Sequence, residues 1–189
     1  MKGCFRVGLY RQGLAHDLSK YMPSEFWVGV KYYQGTQSPN NAERDVLGYS
    51  SAWLHHKGRN KHHYEYWLDY GIHAGDGIVP VPMPMRYIVE MFIDRVAASK
   101  NYNQGHYTDD MPLQYYTKGK AGDFMHPDTR TTLELLLHML ADEGEELIKA
   151  LVTRMDLPHV AEQMRNLEAY NHVNEEKYPW MPSAFYKNI

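Results

Sequence analysis

Asp128-Thr129-Arg130-Thr131-Thr132-Leu133-Glu134-Leu135-Leu136-Leu137-His138-Met139-Leu140 is the stretch whose periodicity decides the fold class. Leu133, Leu136, Leu137 and Leu140, continued by Leu147 and Leu151, recur at helical spacing and supply one buried face. The spacing predicts a helix from Thr129 to about Val152, with Asp128 as its cap. Beyond Pro158 a further helical segment is expected over about His159 to Tyr170. The tail from Tyr178 to Ile189, aromatic and punctuated by proline, suits packing along a surface.

Upstream of that helix, Ile88, Met91, Phe92 and Val96 form a second stripe, which predicts a helix from Met85 to Lys100. Gly71 to Pro84 is a Gly/Pro-rich connector, and Val79-Pro80-Val81-Pro82-Met83-Pro84 must be extended because proline restricts itself and the residue before it. Asn101 to Gly122, irregular, aromatic and polar, reads as a lid or binding loop. Nearer the start, Phe5, Leu9, Leu14 and Leu18 approximate helical spacing between Cys4 and Lys20. Pro23-Ser24-Glu25 opens a helix with Phe26, Val30 and Tyr33 on one face and Gly35 as its stop.

After a polar loop over Thr36 to Asn41, a third helix is expected from about Ala42 to His56, closing at Lys57-Gly58. Asn60 is placed to cap a short fourth helix through Trp67. No internal repeat and no βαβ alternation occurs. The expected class is mainly α: a single helical domain over residues 1–189 with irregular Pro/Gly-rich connectors. Its chemistry-bearing core would span about 5–100 and a C-terminal helical extension about 128–189.

With a formal charge of −3 and a pI near 6.4, the chain offers no extended nucleic-acid surface. Cys4 is the only cysteine, which excludes a disulfide framework and a multi-cysteine zinc site. No run reaches the roughly 18 apolar residues of a spanning helix, and no signal-peptide pattern opens the chain. A cytoplasmic protein with no membrane partner is expected, and the composition is compatible with a homo-oligomer.

Two clusters carry the chemistry. Leu14-Ala15-His16-Asp17-Leu18-Ser19-Lys20 sets an imidazole beside a carboxylate. Trp53-Leu54-His55-His56-Lys57-Gly58-Arg59-Asn60-Lys61-His62-His63 places four of the chain's 11 histidines within a short span that packing alone does not explain. Other groups have plainer readings: Asp142-Glu143-Gly144-Glu145-Glu146 is a solvated helix face, and Met83, Met85, Met91, Trp53 and Trp67 belong to the core. There is no phosphate-cradling glycine loop, nucleophile elbow or zinc-protease pair.

The first cluster resembles the central motif of the HD-domain superfamily of metal-dependent phosphohydrolases, and His55-His56 and the helix carrying Asp94 resemble its later elements. The span from about Phe5 to Trp67 is also similar to an uncharacterised bacterial and phage family of unknown function. The HD resemblance implies one or two divalent transition ions (Mn, Fe, Zn or Ni) held by His16, Asp17 and Asp94 together with His55, His56, His62 or His63. The pattern departs at one point: no histidine precedes His16, and His56 and His63 are the substitutes at hand.

The implied activity is hydrolysis of a nucleotide or other small phosphorylated substrate. Asp17 and Lys20 would act at the reacting centre, and Lys57, Arg59 and Lys61 would meet phosphate. Two alternatives remain open at this stage: a catalytically degenerate scaffold that binds a nucleotide or protein partner, and a di-iron oxygenase.

Overall fold

The computed structural model describes residues 2–145. The expected continuation through Val152, the segment His159 to Tyr170 and the tail Tyr178 to Ile189 lie outside the described residues. Within them the chain is mainly α. Eight α-helices follow in order: α1 (Lys2–Arg6), α2 (Tyr10–Ala15), α3 (Pro23–Tyr32), α4 (Pro39–Leu47), α5 (Ser51–Lys57), α6 (Met85–Tyr102), α7 (Met111–Gly119) and α8 (Pro127–Glu143).

The core is built where α6 and α8 meet. Leu133, Leu136, Leu137 and Leu140 of α8 are buried with Ile88, Val89, Met91, Phe92 and Val96 of α6, and Tyr116 of α7 closes the same cluster. Burying each such side chain contributes about 1.5–3 kcal/mol relative to exposure, so this seam fixes α6 firmly. A second layer, in which α3 packs against α4 and α5, stands beside it. No described helix is long and apolar enough to cross a membrane.

Several expectations are corrected. The helix expected from Cys4 to Lys20 is two helices: Gly8, at φ +79°, separates α1 from α2, and Asp17, at φ +59°, follows directly on the end of α2. The helix expected from Ala42 to His56 is also two, because Gly48 takes a left-handed conformation (φ +79°) that only glycine adopts without cost. Ser50 then caps α5, its Oγ accepting from Trp53 N at 3.0 Å.

On α3 the anticipated apolar face is reversed. Phe26, Val30 and Tyr33 are exposed, whereas Glu25 is buried. Asn60 caps no helix, and Tyr64–Trp67 is only a 3-10 turn. The connector is extended as expected, but its strand Ile78–Pro80 (β2) pairs antiparallel with Leu68–Tyr70 (β1), with Asp69 opposite Val79. The supposed loop Asn101 to Gly122 contains α7, whose Pro112 sits in the first turn where proline is tolerated. Finally, α8 is capped by His126 rather than Asp128: the His126 ring accepts from Asp128 N at 3.2 Å.

Candidate metal centre

The site forms where three chain segments converge. The first is the bend after α2. Asp17 occupies the left-handed region (φ +59°, ψ +19°), a conformation that aspartate tolerates better than most residues and that costs on the order of 1–3 kcal/mol. This bend lets neighbouring His16 and Asp17 face one interior space. The second segment is the end of α5 and the turn after it. Asn60 Nδ2 donates to the His56 carbonyl and to Ser19 Oγ, both at 2.8 Å, which ties the turn to the first segment. The third is α6, where Glu90 and Asp94 lie one helical turn apart beside the core stripe.

Asp17 is the hub. Its Oδ1 lies 3.3 Å from His56 Nε2 and 3.4 Å from His62 Nε2. Its Oδ2 lies 3.5 Å from His16 Nε2 and 2.5 Å from Lys20 Nζ. His16 Nε2 is in turn 3.3 Å from Asp94 Oδ1. One ligand atom each from Asp17, His56, His62 and His63 falls within 4.8 Å of the others, and the same holds for His16, Asp17 and Asp94 and for His16, His62 and Glu90.

Asp17 Oδ1, His62 Nε2 and His63 Nε2 are buried and have no hydrogen-bond partner among the described residues. Leaving such atoms unsatisfied costs about 1–3 kcal/mol each. Mixed imidazole and carboxylate donors clustered in this way fit a divalent transition ion, which would satisfy all three atoms.

Outer carboxylates orient the rings. Glu25, from the reversed α3, places Oε2 at 2.8 Å from His56 Nδ1 and Oε1 at 2.5 Å from His55 Nδ1. Glu90 Oε1 lies 3.0 Å from His16 Nδ1 and 3.4 Å from His62 Nδ1. Gln12 Nε2 donates to the other Glu90 oxygen at 2.6 Å and to the Arg86 carbonyl at 3.1 Å.

The electrostatics follow from these contacts. Burial alone would lower the His16 pKa, but Asp94, Glu90 and Asp17 overcome it and push it up to about 9. Burial would raise Glu90, yet its bonds from His16, His62 and Gln12 hold it down at about 2. Asp17 behaves likewise: His56, Lys20 and His16 keep it far below the ordinary carboxylate range despite burial. His63 is pushed well below its usual value by burial and by the neighbouring His62 and His56 rings, which leaves it a neutral nitrogen donor.

The structure therefore gathers His16, Asp17, His56, His62, His63 and Asp94. His55 is in none of the three groupings of potential ligands; its ring bonds Glu25. Lys20 is paired with Asp17 rather than standing free. Among the described residues no side-chain hydrogen bond or ion pair joins Lys57, Arg59 or Lys61 to the cluster; Arg59 meets it through its backbone N–H, which donates to the His56 carbonyl at 3.1 Å, and Lys61 Nζ lies 5.7 Å above the Tyr66 ring. Glu90, Glu25, Gln12, Ser19 and Asn60 were not anticipated. Glu90 was the most accessible of them, since it precedes Asp94 by four residues on a helix already recognised.

No curated protein and no solved structure matches the chain. A family model does match, over residues 1–139, and it is described as a family of unknown function (DUF5662). The chain belongs to that family.

Proposed function

We propose that this protein is a metal-dependent phosphohydrolase acting on a small phosphorylated molecule, with nucleotides as the leading substrate class. The observation that carries the reading is the position of Asp17, whose two oxygens face two different sets of donors. Oδ1 faces His56 and His62, with His63 beside them, and Oδ2 faces His16, which also meets Asp94. Such a carboxylate suits a bridging role between two ions. Ions held there would lower the pKa of a water toward neutrality and polarise a phosphoryl oxygen.

The protein's own groups have separable tasks. Glu25 orients His56, and Lys20 balances the charge of Asp17 at an exposed position from which its ammonium can meet an anionic substrate. Asp94 stands on the side of His16 away from Glu90, its Oδ1 3.3 Å from Nε2, and would share with that nitrogen in holding an ion. The order His16-Asp17, histidine cluster, Asp94 along the chain supports the HD-like version of this reading. The substrate class rests on that analogy alone.

The test is elemental analysis of untagged protein beside Asp17→Ala, followed by a phosphatase and nucleotidase screen. One or two equivalents of Mn, Fe, Zn or Ni in the parent, with metal and hydrolysis lost together in the variant, is the expected result. Hydrolysis that persists in metal-free Asp17→Ala would overturn it. Absence of metal after reconstitution would favour a binding scaffold, and metal-dependent oxygen consumption without hydrolysis would favour an oxygenase.

A further inference from the structure

Glu90 stands in one of the groupings that could hold an ion, with His16 and His62, yet its contacts give it a different task. Its Oε1 meets both rings at Nδ1, at 3.0 Å for His16 and 3.4 Å for His62. The opposite nitrogen, Nε2, is the one each ring turns toward Asp17. An imidazole that donates from Nδ1 to a carboxylate presents a lone pair at Nε2. The two rings lie side by side, their centroids 4.6 Å apart, so a single oxygen reaches both.

We infer that Glu90 is a positioning residue shared by both ion positions: one carboxylate oxygen fixes the tautomer of His16 on one side of Asp17 and of His62 on the other. The inference rests on the metal reading above and deepens it. Glu90 is itself held, because Gln12 Nε2 donates to its second oxygen and anchors it to the Arg86 carbonyl. The arrangement joins α2, the turn after α5 and α6 through one side chain. Glu25 makes the contrasting case: it holds His56, which serves only the Oδ1 side of Asp17, and His55, which serves neither.

A shared clamp and a private one have different signatures. In Glu90→Gln both ion positions weaken together, by about 10–100-fold each, as expected for loss of an outer carboxylate on a ligating histidine. In Glu25→Gln the loss is confined to one position. Co(II) and Zn(II) titrations of the full 189-residue chain, read by calorimetry and by Co(II) absorption, separate the two patterns. A measurement on unmodified protein stands beside them: long-range ¹H–¹⁵N spectra of the Zn(II)-loaded wild type report which nitrogen of each histidine carries the proton.

Two ions in the wild type, both weakened in Glu90→Gln, with His16 and His62 protonated at Nδ1, is the expected result. Fewer than two ions in the wild type, loss of one position only in Glu90→Gln, or ligation through Nδ1 of either ring would overturn the shared clamp. The metal reading would stand in each of those cases provided some ion binds. No bound ion at all would overturn both. The spectra decide the tautomers even where Glu90→Gln fails to fold.

Discussion

Glu43 and Asp17 are both carboxylates withdrawn from water, and the protein satisfies them in opposite ways. Glu43, on α4, is 2% exposed, and each oxygen has donors: Ser50 Oγ at 2.6 Å and Ala52 N at 3.4 Å on Oε2, Ser51 Oγ at 2.7 Å on Oε1. Its charge meets the start of α5, where backbone N–H groups lack helical partners. Asp17 has a buried oxygen with no hydrogen-bond donor among the described residues, turned toward ring nitrogens. Burial of a charge therefore says little about function. The inventory of donors around it separates a structural cap from a candidate cation site.

The comparison can be broken most directly with metal. Zn(II) at about 100 times its Kd should stabilise the wild type by about 2.7 kcal/mol, seen as a rise in Tm. Glu43→Ala should gain the same increment, and Asp17→Ala none. An equal rise in Asp17→Ala would dissolve the distinction between the two carboxylates.

Next in size is the intrinsic cost of the cap. Glu43→Ala strands the buried Ser50 hydroxyl and Ala52 N–H and removes the partner of the exposed Ser51 hydroxyl, and should lose about 2–3 kcal/mol in denaturant unfolding with metal stoichiometry unchanged. Loss of metal together with stability would show that the α4–α5 layer and the site are coupled.

Acid sharpens the same contrast. Burial alone would raise the Glu43 pKa, but the Ser50, Ser51 and Ala52 donors hold it below the ordinary 4.5. A depressed folded pKa means that its contribution is fully present above about 4.5 and is lost as pH falls through the lower folded value. The stability gap between wild type and Glu43→Gln should therefore be constant from pH 7 to 5 and shrink below pH 4.5. A gap that widens on acidification would refute the charged cap.

The smallest expected effect belongs to Ser51→Ala, which removes one donor from Glu43 Oε1 and should cost about 1 kcal/mol, measured by thermal unfolding.

Local pattern was enough for the mainly α class, the helices that became α6 and α8, and the extended connector, because a 3.6-residue stripe of Leu, Ile, Met and Phe has few other ways to leave water. His16, Asp17, His56, His62 and His63, gathered at the candidate site, were also legible as two clusters of metal-ligand types, whereas Asp94 entered through the resemblance to the HD superfamily. Boundaries failed where one backbone angle outweighed a periodic pattern, as at Gly48. The face of α3 failed because Glu25 is buried by partners distant in sequence, His55 and His56, which no local pattern contains.

The chain by itself determined which side chains are available and that helices carry them. Only the tertiary structure decided which nitrogen each ring presents, that Asp17 divides its oxygens between two groups, and that Glu90 and Glu25 stand behind the histidines. Those features depend on contacts between residues about 30 to 80 positions apart, set by how α6 docks on α8 and how α3 lies against α5. Spacing along a helix reaches only to the next turn.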